Sequence, residues 1–238
     1  MKKQVITHGS LFSSLRNGFT LVEVLIAMSL ASLVLLAVTQ MTIGIGRMNF
    51  DSVAKLAINR DVRSFTGEIS TAGRSARDYR IYTAPDNLTE RQSDQSGDVL
   101  VLVWADPVPM DDPAMALVNA TEAFHYRRII VFAREVDNNT NQTGPVTRYE
   151  RTFPPAGNIG ALMSRNTTIL AQTMSLLTLN APGDQRKEVL QLARGLATER
   201  LFFHSRTGRS IIVNGEIFHG NRAREVTNTY NFTITPRG

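Results

Sequence analysis

One stretch constrains this chain more than any other. From Phe19 to Ile45 it reads FTLVEVLIAMSLASLVLLAVTQMTIGI, with Glu23 as the only charge. About 20 apolar residues suffice to carry a helix across the hydrocarbon core of a bilayer, and the uncharged run from Val24 to Gly46 is long enough. Lys2, Lys3 and Arg16 precede it with no acid among the first 18 residues, so the run begins behind a basic flank. The formal net charge of +5 is partly a property of that flank, since its removal leaves +2. The roughly 190 residues that follow are enough for one compact domain with its own core.

Three readings compete for the N-terminus. A secretory signal peptide has an apolar region of about 7–15 residues and a small-residue cleavage site after it, and this run is longer. A signal anchor fits the length and the basic flank, which stays in the cytoplasm. It leaves Glu23 unexplained, because a carboxylate within a membrane helix is costly and normally has a partner or a function.

The third reading explains the acid. The segment GFTLVE, Gly18 to Glu23, followed by VLIAMSLASLVLLAV, resembles the N-terminus of type IV pilins and pseudopilins. That resemblance covers about 30 residues closely and the rest of the chain only in layout. It implies that a prepilin peptidase cuts after Gly18 on the cytoplasmic side, leaving Phe19 as a new, N-methylated terminus. It further implies that the apolar helix becomes filament core, with Glu23 neutralising the terminal amine of a neighbouring subunit. The physics agrees, because an acid one turn into a helix faces the positive end of its dipole. An unpaired charge in a dry filament core is costly, so Glu23 acts as a register key. The expected partners are the prepilin peptidase, other pilin or pseudopilin subunits and an inner-membrane assembly platform. In plan the chain is most like a large minor pilin or a J-type pseudopilin. Many major pilins have a proline within this helix, whereas here the first is Pro85. Gly44 and Gly46, each about 1 kcal/mol less favourable than alanine in a helix, are where local melting would start.

Beyond the glycines, Phe50, Val53, Ala57, Val62, Phe65, Ile69, Ala72, Ala76 and Tyr79 recur mostly every three or four residues, which predicts continued amphipathic helix. Arg60, Asp61, Arg63, Glu68, Arg74, Arg77 and Asp78 form its other face, read as a solvated face with intrahelical ion pairs. A polar segment from Thr83 to Gly97 ends the helix. Strand candidates follow at Asp98–Trp104, Ala123–Arg134, Val146–Phe153, Leu201–His204, Arg209–Phe218 and Val226–Thr235. Asn214-Gly215 suggests a turn inside the fifth. The segments Ala161–Leu179 and Glu188–Glu199 are ambiguous between helix and strand.

Long helix followed by antiparallel strands argues for an α+β fold, a helical spine packed on a β-sheet head. The expected divisions are a leader at 1–18, a membrane or filament-core helix at 19–46, its amphipathic continuation at 47–82 and a β-rich head at 83–238. The chain is expected in the inner membrane, leader cytoplasmic and head extracytoplasmic.

No chemistry stands out. The chain has no cysteine, and His8, His125, His204 and His219 are isolated, without metal-motif spacing. No nucleophile elbow, phosphate loop or dinucleotide fingerprint is present. The expectation is a structural subunit with no catalytic residue, metal or cofactor, against the alternative of a membrane-anchored extracytoplasmic enzyme. Asp111 with Asp112, or Asp137 with Asn138 and Asn139, could supply oxygen ligands to calcium, but neither matches an EF-hand and both read as solvated loops. Asn166–Thr168 and Asn231–Thr233 are glycosylation triplets only where such a pathway exists. Arg127-Arg128 and Arg222-Ala223-Arg224 raise DNA contact, as in an uptake filament. Strand alternation puts Arg127 and Arg128 on opposite faces, so nucleic acid is not the expected partner.

Overall fold

The computed structural model describes residues 19–107, 124–135, 143–153, 162–163, 165–179, 181–196, 200–221 and 224–236. The leader, Gly18, Asp111 and Asp112, Asp137 to Asn139, and Arg222-Ala223 lie outside them. The chain divides into two compact units at Phe50/Asp51. Helix α1, Leu21–Ser75, supplies the first and begins the second.

In the first unit every described residue but Gly44 is exposed. Its large apolar residues stand bare: Leu21, Met28, Leu33, Leu35 and Met48 are all more than 60% exposed. The hydroxyls within it are satisfied locally. Ser29, Ser32, Thr39 and Thr42 each donate to the carbonyl four residues earlier, at 2.8–2.9 Å. That back-bonding lets small polar residues sit in an apolar helix without an unpaired donor. The helix runs unbroken through Gly44 and Gly46.

In the second unit α1 buries Ala54, Ile58, Phe65, Ile69 and Ala72. The expected stripe is right from Val62 onward and one residue off before it, since Val53 is exposed and Ala54 buried. Helix was expected as far as residue 82, but α1 ends at Ser75 and Asp78–Tyr82 is strand β1. Ala76 and Tyr79 fit a helical spacing, yet Tyr79 and Ile81 fit a period of two equally well, and the β-preferring DYRIY sequence decides it. Ser75 Oγ bonds the carbonyls of Thr71 and Ala72 at the helix end, and Arg77 N–H donates to Val103 O at 2.9 Å, which commits the chain to the sheet.

The other strands are β2 (Ser96–Gly97), β3 (Val99–Pro107), β4 (Phe124–Arg134), β5 (Gly144–Thr152), β6 (Leu162–Met163), β7 (Gln185–Gly195), β8 (Phe202–His204), β9 (Ile211–Asn221) and β10 (Arg224–Ile234). They form one sheet in the order β1-β3-β4-β5-β7-β9-β8-β2, with β6 beside β4 and β10 beside β9. Every described pairing is antiparallel. Because β2 runs into β3 through Asp98 alone, the far end of this order returns to the chain beside its start.

The two ambiguous segments resolve as β6 with a second helix, α2 (Arg165–Leu177), and as part of β7. Strands β3 and β4 are buried on both faces. Leu100, Leu102, Ile130 and Phe132 pack in one core with α1. Val99, Val101, Val103, Ile129 and Val131 pack in another with Ile169 and Leu176 of α2. This explains why VLVLV and IIVF read as unbroken apolar runs.

The predicted turn at Asn214-Gly215 does not exist. Strand β9 passes straight through it and pairs with β10 from Ile211↔Ile234 to Asn221↔Arg224. Gly215 is small for a different reason: a Cβ there would lie 2.5 Å from Tyr230 Oη and 2.7 Å from Leu201 Cδ1. The Tyr230 ring occupies the space a side chain would need.

Candidate functional site: the start of the apolar helix

Phe19 is 82% exposed, and α1 begins two residues later. Thr20 and Glu23 form a reciprocal cap. Glu23 N–H donates to Thr20 Oγ1 at 3.3 Å, while Thr20 N–H and its hydroxyl both donate to Glu23 Oε2 at 3.2 Å. This is the threonine-x-x-glutamate capping box, which satisfies donors a helix start leaves without partners. The acid noted in the sequence therefore has a partner inside its own chain. Both bonds from Thr20 go to Oε2, which leaves Oε1 available to accept from another donor.

The helix behind this cap is long and apolar enough to cross a membrane, with a mean hydropathy of 2.6 over its best window and none of that window buried. A carboxylate at the head of such a helix sits where the dipole favours it, and a cation brought to it would be held in low dielectric. Gly18 lies outside the described residues. Phe19 and Glu23 are four residues apart at the same helix end.

Elsewhere the charged residues organise the second unit. Asp98 is fully buried between β2 and β3. Arg134 Nε donates to its Oδ1 at 2.8 Å, Leu201 N–H does so at 3.3 Å, and the Arg200 guanidinium pairs with Oδ2. Arg134 is itself only 1% exposed. One carboxylate thus ties β3 and β4 to the segment that opens β8. The sequence held a signal for this: an acid just before one buried apolar strand and a base ending the next are antiparallel neighbours. Arg151 grips Asp184 with two parallel bonds at 2.6 and 2.7 Å and reaches Gln172 and Ser175 of α2. These bonds hold the Asp184 carboxyl below its ordinary range.

Glu68 leaves the expected intrahelical pattern and pairs with Arg148 of β5 and Lys187 of β7. The reason is position, because Glu68 lies one residue from the buried Ile69 and points along the sheet. Arg127 is 73% exposed and pairs with Asp106. Arg128 is partly buried, pairs with Glu150 and lies 5.3 Å over the Trp104 ring. The two arginines therefore have different surroundings.

His204 is partly buried with Nδ1 3.2 Å from Tyr79 Oη, and burial pushes its pKa below the ordinary value. Burial likewise pushes Tyr79 up to about 12. Among the described residues no three His, Asp or Glu side chains gather as a metal site would require.

Residues 13–39 match the family model described as the prokaryotic N-terminal methylation motif. The match is confined to the N-terminus and supports a type IV pilin-like precursor. A motif of this kind generally implies prepilin-type processing and assembly with other pilin-like subunits, and its helix is long and apolar enough to anchor in a membrane. No significant match exists among curated proteins or solved structures.

Proposed function

We propose that the chain is a minor pilin or pseudopilin, a non-enzymatic subunit of a type IV pilus or of a type II secretion pseudopilus. It enters the inner membrane with Lys2, Lys3 and Arg16 on the cytoplasmic side. Prepilin peptidase cuts between Gly18 and Phe19, the new amine is methylated, and an inner-membrane platform passes the subunit into a filament. The observation that carries this reading is Glu23, a lone acid at the head of an apolar helix that its own chain leaves uncovered. With Oε2 engaged by Thr20, Oε1 accepts the Phe19 amine of a neighbour, and a neighbour in the wrong register leaves that carboxylate without a counter-charge.

Mass spectrometry of the mature N-terminus tests the first step. A chain starting at N-methylated Phe19 is expected, and one starting at Met1 in cells with active prepilin peptidase sinks the reading. Glu23→Ala tests the second step. It should insert into the membrane normally and reach filaments about a hundredfold less often, the loss expected when one partner of a desolvated pair is removed. Unchanged incorporation removes the register role.

A further inference from the structure

The edges of the sheet are treated unequally. The outer edge of β1 is covered by the 83–97 segment: Arg91 N–H donates to Ile81 O at 2.8 Å, Thr83 N–H to Thr89 O at 3.0 Å, and Tyr82 bridges to Glu90. Strands β2 and β6 are two residues each. Where β7 runs beyond its short pairing with β9, it carries Arg186, Lys187 and Glu188. Short strands, charges and covering loops are the usual protections against unwanted strand pairing.

Strand β10 lacks these beyond its first two residues, Arg224 and Glu225. It is 11 residues long, pairs with β9 in unbroken register, and from Val226 to Ile234 contains neither a charge nor a proline. Among the described residues no segment pairs with its second edge. Val226, Tyr230 and Ile234 are buried, while Thr227, Thr229, Asn231 and Thr233 are exposed. Such an edge offers a row of backbone donors and acceptors flanked by hydroxyl and amide side chains.

We propose that β10 is a subunit-docking edge, to which an extended, proline-free segment of an adjoining pilin-like subunit adds as an antiparallel strand. The absence of charge from Val226 to Ile234 sets the chemistry of the partner, an uncharged segment with β-branched or amide side chains at alternate positions. A second copy offering its own β10 fits less well. Asn228 bonds Asn59, and Ile234 packs on Gly73, so β10 runs along α1 in the same direction. Antiparallel pairing of two β10 edges would set the Asn59–Gly73 stretches of two α1 helices head to tail, while subunits of one filament share a direction. This inference rests on the filament-subunit reading above.

Because the chain lacks cysteine, single substitutions report position without background. Full-length Thr229→Cys and Asn231→Cys chains, expressed with their native filament system, would be labelled with a short maleimide–diazirine crosslinker, illuminated, and the linked residues identified by mass spectrometry. Filament incorporation would be measured in parallel, and Thr152→Cys on β5 would serve as the control site. The expected result is linkage of positions 229 and 231 to one segment of a different subunit, absent at position 152. Thr229→Lys with Asn231→Lys should lower incorporation at least about tenfold with an unchanged melting temperature. Incorporation without linkage at either position overturns the docking edge and leaves the subunit reading intact, as does linkage to another β10 or to the same chain. A wild-type chain that never enters filaments overturns both.

Discussion

The first and second halves of α1 are one helix by backbone and two different objects by side chain. Between Leu21 and Phe50 the helix presents leucine, valine, isoleucine and methionine all round and buries none of them. Between Asp51 and Ser75 it turns a stripe of alanine, isoleucine and phenylalanine onto the sheet and keeps its charges to the side. A helix apolar on every face takes its stability from what surrounds it, lipid or other helices, whereas a one-sided helix is completed by its own chain. The cap at Thr20 and Glu23 serves the first object, and Asp98, Arg134 and Gly215 serve the second. Changes at the two places should therefore have separable consequences.

The largest effect expected is at Asp98. Asp98→Ala strands the Arg134 guanidinium in the core, which costs about 3–5 kcal/mol. Chemical denaturation of the full-length protein in detergent should show that loss in the sheet while α1 remains inserted. A melting curve unchanged from wild type would break the claim that this ion cluster closes the sheet. Next comes Gly215→Ala, which drives a methyl into Tyr230 and should cost about 1–3 kcal/mol, again in the second unit alone.

A smaller effect is expected at the other end. Thr20→Val keeps the shape of the side chain and removes the hydroxyl of the cap, so amide exchange in the first turn of α1 should rise roughly fivefold. Thr20→Ser should restore it, and neither variant should shift the melting of the sheet. The smallest effect is one of pH. Burial holds His204 below its ordinary pKa of 6.5, so the unfolded chain takes up the proton first. That part of the stability is complete above the unfolded value and declines as pH falls from it toward the folded one. Melting temperature should fall by a few degrees below pH 6.5, and His204→Phe should flatten that component.

Much of this was legible in the sequence because it depended on local pattern. The apolar run, the acid one turn in and the stripe from Phe65 to Ala72 each follow from spacing along one helix. The buried strands VLVLV and IIVF were visible as runs. What could not be read locally was set by distant neighbours. Asn214-Gly215 has the composition of a hairpin turn, yet a tyrosine on the next strand makes glycine necessary for space. The helix end at Ser75 was hidden because Tyr79 satisfies both periods. Glu68 was expected to pair within its helix, and its partners stand on two strands far along the chain. The capping box lies in plain sequence as threonine, two residues, glutamate. It went unread because Glu23 already had a meaning as an assembly residue.

The Asp98 cluster also sets an order on the chain's maturation. Its three partners arrive at very different times, Arg134 after 36 residues and Arg200 and Leu201 after more than a hundred. As the chain emerges N-terminus first, the carboxylate at the entry to β3 stays hydrated until the base and backbone donor near the start of β8 have followed it. Drying that site earlier would strand a charge, so closure of the sheet waits on the last third of the sequence. A head cut short before Arg200 is left ajar, with Arg134 on one carboxylate oxygen and nothing for the other to meet.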